Sequence, residues 1–208
     1  PLGSRTKLTL PDGTLVWLNA GSRITYSQGF GVGNRKIELI GEGYFEVKRN
    51  EEVPFLVKTN SLLVKVLGTK FIFRDYPDDA EAIVSLSEGK VALNILLKKE
   101  NEAFLLPNER VVLNKKNGRM HVEYSTVSNA LQWTNGYLFF DEELLPDVVK
   151  ELERSYNVKI QIASDTLNTF RFYGNFVHRE QNIQEVLEAL SATRKIHYII
   201  EGHNITLY

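Results

Sequence analysis

The chain has no cysteine. That excludes disulfides, thiolate metal sites and a cysteine nucleophile, and it leaves the compartment open, because proteins of oxidising compartments can also lack cysteine. Charge of either sign is not in excess: 25 Lys and Arg stand against 26 Asp and Glu, a formal net charge of −1. No basic field is therefore expected to draw in nucleic acid or an anionic membrane. No apolar run approaches the roughly 20 residues needed to span a bilayer. The four histidines, His121, His178, His197 and His203, are not paired at metal-ligand spacing, and no carboxylate cluster joins them. There is no Gly-x-Ser-x-Gly elbow. Asp78-Asp79 and Glu51-Glu52 lack the ligand count and glycine spacing of a calcium loop. Gly29-Phe30-Gly31-Val32-Gly33 superficially suggests a phosphate loop, but it leads into a strand and not a helix, so it reads as a β-loop. The expectation is no catalytic, cofactor or metal site.

What is present is the make-up of a folded protein: 43% hydrophobic and 25% charged residues over 208 positions, enough for one large or two modest domains. Pro1-Leu2-Gly3-Ser4 reads as the scar of a cut expression tag, so the native N-terminus is expected to be missing and the lack of a leader or anchor carries no information. The stretch Leu10-Pro11-Asp12-Gly13-Thr14 has turn chemistry. Pro fixes φ, Asp bonds its own backbone, and Gly takes φ > 0 without a Cβ clash. After it Leu15 and Trp17 alternate with Val16 and Leu18.

Up to about residue 124 no amphipathic helix stands out. Strands are expected at 7–10, 14–19, 23–26, 36–40, 44–48, 55–59, 62–67, 70–75, 81–87, 90–97, 103–106, 110–114 and 121–124, separated by turn residues. Even spacing without a strict repeat fits a sandwich, a jelly roll or a twisted β-solenoid. Composition then shifts. Residues 125–132 read as a polar linker, and 133–208 as an α+β unit in the order β-α-β-β-α-β-β. A strand is expected at 136–140 and a helix at 141–156. In that helix Leu145, Val148, Val149, Leu152 and Tyr156 share a face, Pro146 lies in the first turn, and Asp141, Glu142 and Glu143 sit at the positive end of the dipole. Strands follow at 158–163 and 170–177. Asn182-Ile183-Gln184-Glu185 resembles a capping box opening a helix that buries Ile183, Val186, Leu187 and Leu190. A hairpin of strands 196–200 and 205–208 ends the chain. The two helices are expected on one face of one small sheet.

Trp17, Phe30, Tyr44, Phe45, Phe55, Phe71 and Phe73 either pack a core or line a sugar platform, and their alternation within strands favours the core. Glu42, between Gly41 and Gly43, marks a bulge or sharp bend where the carboxylate accepts backbone N–H bonds as a structural clasp. Leu67-Gly68-Thr69 reads as another tight bend.

These phrases together resemble the periplasmic part of FecR-type anti-sigma regulators. The resemblance runs through Leu10 to Thr14 (with Asp12 and Gly13), Leu18-Asn19-Ala20-Gly21-Ser22 and Leu39-Ile40-Gly41-Glu42-Gly43-Tyr44-Phe45-Glu46-Val47. It continues in Pro54-Phe55-Leu56-Val57, Val66-Leu67-Gly68-Thr69-Lys70-Phe71 and Ser85-Leu86-Ser87-Glu88-Gly89-Lys90-Val91. The second half matches in Trp133-Thr134-Asn135-Gly136 and its following strand, and in Leu152-Glu153-Arg154-Ser155-Tyr156-Asn157-Val158. In this family such positions are implied to be structural, and the resemblance assigns no partner-contact residues. The C-terminal unit is similar to the STN fold, the short N-terminal domain of secretins and TonB-dependent proteins. The pairing of the two resembles the Bacteroidetes branch.

The resemblance implies a mainly β protein, an all-β domain at 5–124 followed by an STN-like domain, that is the soluble periplasmic part of a single-pass inner-membrane anti-sigma factor. The implied partners are the N-terminal signalling domain of a TonB-dependent outer-membrane transporter, an ECF sigma factor held by a cytoplasmic domain outside these residues, and site proteases. Partner docking is expected on a strand edge of the first domain or in the crevice between domains. A carbohydrate-binding β module of a glycan-uptake system is the alternative, an enzyme is third, and a homo-oligomeric scaffold built through the STN-like unit is also open.

Overall fold

The Pro11-Asp12-Gly13 turn closes the first hairpin as its chemistry predicts. Asp12 Oδ1 accepts from the Thr14 N–H and Oδ2 from the Thr14 hydroxyl, each at 2.9 Å. The hairpin joins β1 (Thr6–Thr9) to β2 (Leu15–Leu18) in antiparallel register. The computed structural model describes residues 1–96 and 102–208, and it divides into two units, Arg5–Leu131 and Gln132–Tyr208, the latter joined by Pro1–Ser4. The tag-like segment enters the second unit through the Gly3 N–H, which donates to Arg154 O at 2.8 Å.

The first unit continues with β3 (Arg23–Tyr26), β4 (Arg35–Glu46), β5 (Phe55–Lys58), β6 (Leu62–Val66) and β7 (Lys70–Asp75). Then come β8 (Glu81–Glu88), β9 (Val91–Ile95), β10 (Glu102–Leu105), β11 (Glu109–Asn114) and β12 (Met120–Tyr124). The end of the strand expected at 90–97 and the loop after it fall partly outside the described residues. All twelve strands belong to one sheet, with the main path β10-β9-β6-β5-β4-β7-β8-β11-β12.

β4 is the hinge of that path, and here the sequence reading needs correction. Residues 36–40 and 44–48 were expected as two strands around a bend, whereas Arg35–Glu46 is one strand of 12 residues. Its first half lies between β3 and β5. Its second half lies between β2 and β7. The Gly-Glu-Gly bend is present, but inside the strand, where it turns the chain from one half of the sheet into the other without breaking the ladder.

The two halves face each other across one core. Phe45, Phe55, Phe71 and Phe73 are fully buried within it. Phe45 stacks on Phe71 with centroids 5.1 Å apart and packs on Phe55 at 6.3 Å. Burying each such ring contributes roughly 1.5–3 kcal/mol, so this cluster holds the fold of the sheet. The β4–β5 pair is parallel, which the antiparallel sheets of a jelly roll do not contain. Every other described pair in the unit is antiparallel, which a regular stack of parallel coils does not contain. The solenoid and jelly-roll expectations therefore give way to a single folded sheet.

Residues 125–132, read as a polar linker, contain the boundary between the two units. Val127–Ala130 forms one helical turn, α1, whose Val127 is buried and which packs against β8. A 3-10 turn follows at Gln132–Asn135.

The second unit runs β13 (Tyr137–Leu144), α2 (Leu145–Tyr156), β14 (Lys159–Ile162), β15 (Arg171–Val177), α3 (Ile183–Ser191), β16 (Tyr198–Glu201) and β17 (Asn204–Leu207). The element order matches the expectation, but the helix does not begin at Asp141. Asp141, Glu142 and Glu143 extend β13, because Glu143 and Leu144 pair with Phe172 and Arg171 of β15 after a bulge at which Glu142 has φ 53°. α2 opens at Leu145 with Pro146 and Asp147 in its first turn and ends at Asn157 in the left-handed region. The strands form two sheets instead of one: β13-β15, and β14-β17-β16 with β14 and β17 parallel. The Asn182–Glu185 capping box is complete in both directions. Leu145, Val148, Val149 and Leu152 of α2 pack with Val186, Leu187 and Leu190 of α3 in a core of their own. Tyr156 and Ile183 are only partly buried against it.

Candidate functional site: clasps and open strand edges

The bend in β4 is built by a polar cluster. Asn19 donates from Nδ2 to Glu42 Oε2 at 2.9 Å, and its N–H donates to Glu42 O at 3.0 Å. Arg5 Nε and the Ala20 N–H both donate to Asn19 Oδ1 at 2.9 Å. Arg74 Nη1 lies 3.6 Å from Glu42 Oε2. The Glu42 N–H donates to Ser22 Oγ at 2.8 Å, and the Tyr76 hydroxyl donates to Ala20 O at 2.8 Å. Glu42 and Asn19 are both buried. Glu42 was expected to act as a clasp accepting backbone N–H bonds; its carboxylate meets the Asn19 amide and lies near the Arg74 guanidinium, and its own N–H goes to Ser22. A buried carboxylate needs such partners, since the desolvated charge is costly alone.

A second clasp forms around Asp12. Its Oδ2 lies 3.2 Å from Arg35 Nη1, and both side chains are buried. Arg35 also donates to Val53 O, Lys48 O and Asn50 O. One guanidinium thus ties the first hairpin to the loop that leads into Pro54 and Phe55, and it sits 5.7 Å from the Phe55 ring. Sequence reading did not single out Arg35. The signal was there: in a period-2 strand Arg35 falls on the face of Ile37 and Leu39, opposite Lys36 and Glu38.

Beside it, a Cβ on Gly68 would lie 2.7 Å from the Arg49 side chain, and one on Gly89 would lie 3.0 Å from Gly68 O. The Thr69 hydroxyl donates to Lys90 O at 3.0 Å. The first-unit residues that the sequence singled out thus fall into two polar clasps, one close crossing of loops, and the ring cluster of Phe45, Phe55 and Phe71.

In the second unit Trp133 is buried, and the Gly136 N–H donates to Trp133 O at 3.0 Å. The Tyr156 hydroxyl donates to Gln181 O at 3.1 Å, and its ring lies 4.8 Å from that of His178. His178 Nε2 donates to Ser155 O at 2.7 Å. Arg154 is buried, with Nε 3.9 Å from Glu151 Oε2. These contacts position the end of α2 against the segment after β15.

The aromatic residues weighed as a sugar platform are core. Phe30, Tyr44, Phe45, Phe55, Phe71 and Phe73 are buried. Trp17 is half-buried between Tyr44, at 5.1 Å, and Lys7 Nζ, 4.4 Å from its ring.

The surface offers strand edges. Among the described residues β3 pairs with β4 alone, β16 with β17 alone, and β10 and β12 end the long path. Alongside β3 lies a groove of about 770 Å³, lined by Thr25, Tyr26, Lys36, Glu38, Leu56 and Lys65 among others.

Residues 1–92 match the family described as FecR protein, and residues 137–207 match FecR, C-terminal. No curated protein matches the chain. Two crystal structures of a putative anti-sigma factor from Parabacteroides distasonis ATCC 8503, at 1.65 and 2.50 Å resolution, superpose on it with TM-scores of 0.90 and 0.89. Both are 34% identical in sequence and cover 100% of this chain and 95% of the other. On this full-length likeness and the two matched segments, the chain belongs to the FecR family.

Proposed function

We propose that this chain is the periplasmic signal-receiving region of a transmembrane anti-sigma factor. It binds the N-terminal signalling domain of an outer-membrane TonB-dependent transporter loaded with substrate. Binding opens the regulator to stepwise proteolysis, and an ECF sigma factor held by a cytoplasmic domain outside this chain is released. In this reading residues 133–208 are the STN-like domain, and the clasp residues hold the receiver's shape and take no part in chemistry. The observation that carries the proposal is the full-length likeness to a protein described as an anti-sigma factor. The open edges support the mode of contact, because an edge strand offers unpaired N–H and C=O groups to an added strand.

Docking on the first unit is tested in cells with the full-length regulator. Single proline substitutions through β3 remove backbone donors one at a time, and alternate N–H groups of an edge strand point away from its neighbour. At an outward position the account expects loss of substrate-induced transcription with the protein still present and folded. Wild-type induction from all four variants would contradict docking at this edge.

A further inference from the structure

The outer face of the sheet beside β3 is charged in one sense. Its cross-strand rows run Lys36–Leu56–Lys65 and Thr25–Glu38–Lys58–Leu63, with Arg23 opposite Ile40. Four cations, Arg23, Lys36, Lys58 and Lys65, stand with one acid, Glu38. Among the described residues none of the four makes an ion pair. Elsewhere on the unit several basic side chains are paired, Arg35 with Asp12, Arg74 with Glu42 and Asp79, Lys115 with Asp75 and Arg110 with Glu123, while Lys7, Lys48, Lys90, Lys116 and Arg119 make no ion pair among the described residues. The whole chain is balanced at −1, so this is a local excess. Lys36 and Lys65 line the 770 Å³ groove on either side of Leu56, and Arg23 and Lys58 line a smaller pocket that shares Thr25 and Glu38 with it.

We propose that this face docks an acidic, extended segment of a partner polypeptide. Its carboxylates lie over Arg23, Lys36, Lys58 and Lys65 and its apolar side chains over Leu56 and Leu63, so the segment crosses the sheet face from β3 to β6. A polypeptide fits better than a membrane or nucleic acid for two reasons. Four cations in rows across one face of the sheet are a strip and not a broad field, and the molecule's net charge does not favour polyanions at a distance. Leu56 and Leu63 lie among the cations, and a polypeptide supplies apolar side chains together with carboxylates, which nucleic acid does not. Identifying that segment with the transporter's signalling domain rests on the function proposed above.

The test titrates the signalling domain of the TonB-dependent transporter that signals through this regulator into wild type, K36E/K58E/K65E and K36Q/K58Q/K65Q, at about 50 and about 300 mM salt, with circular dichroism confirming that each variant is folded. The glutamine set keeps the test meaningful if charge reversal disturbs the sheet. Expected are wild-type binding that weakens about tenfold or more with salt, a loss of about tenfold or more in the glutamine variant, and a flatter salt dependence in that variant. Wild-type affinity and salt dependence in the glutamine variant would make the face ordinary solvated surface and overturn the inference, while leaving the proposed function standing. Failure of the wild type itself to bind would remove both.

Discussion

Gly41 has φ 98°, and a Cβ there would lie 2.5 Å from Ser22 Oγ and 2.9 Å from Ser22 Cα. Gly41→Ala is expected to destabilise the protein by about 3 kcal/mol or more, from left-handed strain plus displacement of Ser22, read as a lower urea midpoint. Asp12→Ala leaves Arg35 buried with carbonyl partners only. Losing one member of such a pair costs about 3 kcal/mol, and the same urea titration checks it. Tyr44 is held neutral, chiefly by burial and then by its 3.0 Å hydrogen bond to Glu46 Oε1, so its phenol is raised well above the ordinary value of 10.0. The sign follows from proton binding. Above pH 10 the unfolded phenol ionises while the folded one keeps its proton, so this contribution is complete below pH 10 and lost as pH rises beyond it. Tyr44→Phe is expected to flatten the fall in thermal midpoint between pH 9 and 11. An unchanged slope in that variant would show that the phenol carries none of it.

Elements were legible wherever side-chain period and capping agreed. The Asp12–Thr14 turn, the strands Arg23–Tyr26 and Lys70–Asp75, and the capping box of α3 follow directly from residue chemistry. Asn182→Ala is expected to cost about 1 kcal/mol, with Asn182→Ser recovering most of it, measured by thermal unfolding. The misses share one physical origin: partners distant in sequence decided the local state. Gly41-Glu42-Gly43 has the local chemistry of a loop, yet β2 and β7 pair with it residue by residue. Asp141–Glu143 would suit a helix N-terminus, yet Glu143 and Leu144 pair with Phe172 and Arg171 of β15, which keeps the segment extended up to Leu144. Val127 is buried within the segment that composition reads as linker, while Ser128 and Asn129 of the same helical turn are exposed. The clasp at Glu42 was visible in its flanking glycines. Its partners, Asn19 just after β2 and Arg74 of β7, lie 23 and 32 positions away, and no local pattern names them.

At the scale of the whole molecule, two separate cores each close a β-rich unit, and what the surface presents is open strand edge and a basic groove. This explains why the role was legible only through resemblance. If the chain docks its partner by main-chain pairing, as proposed, side chains at the docking edge are free to vary, which fits the lack of a motif there, whereas the clasps that hold the first unit's shape need particular residues. The central claim, that this chain receives a signal by binding, is tested most directly by calorimetric titration of the purified signalling domain of the proposed partner transporter into the chain. The account predicts saturable one-to-one binding. No heat of binding from two demonstrably folded proteins, across the temperatures at which a binding enthalpy cannot vanish throughout, would contradict it.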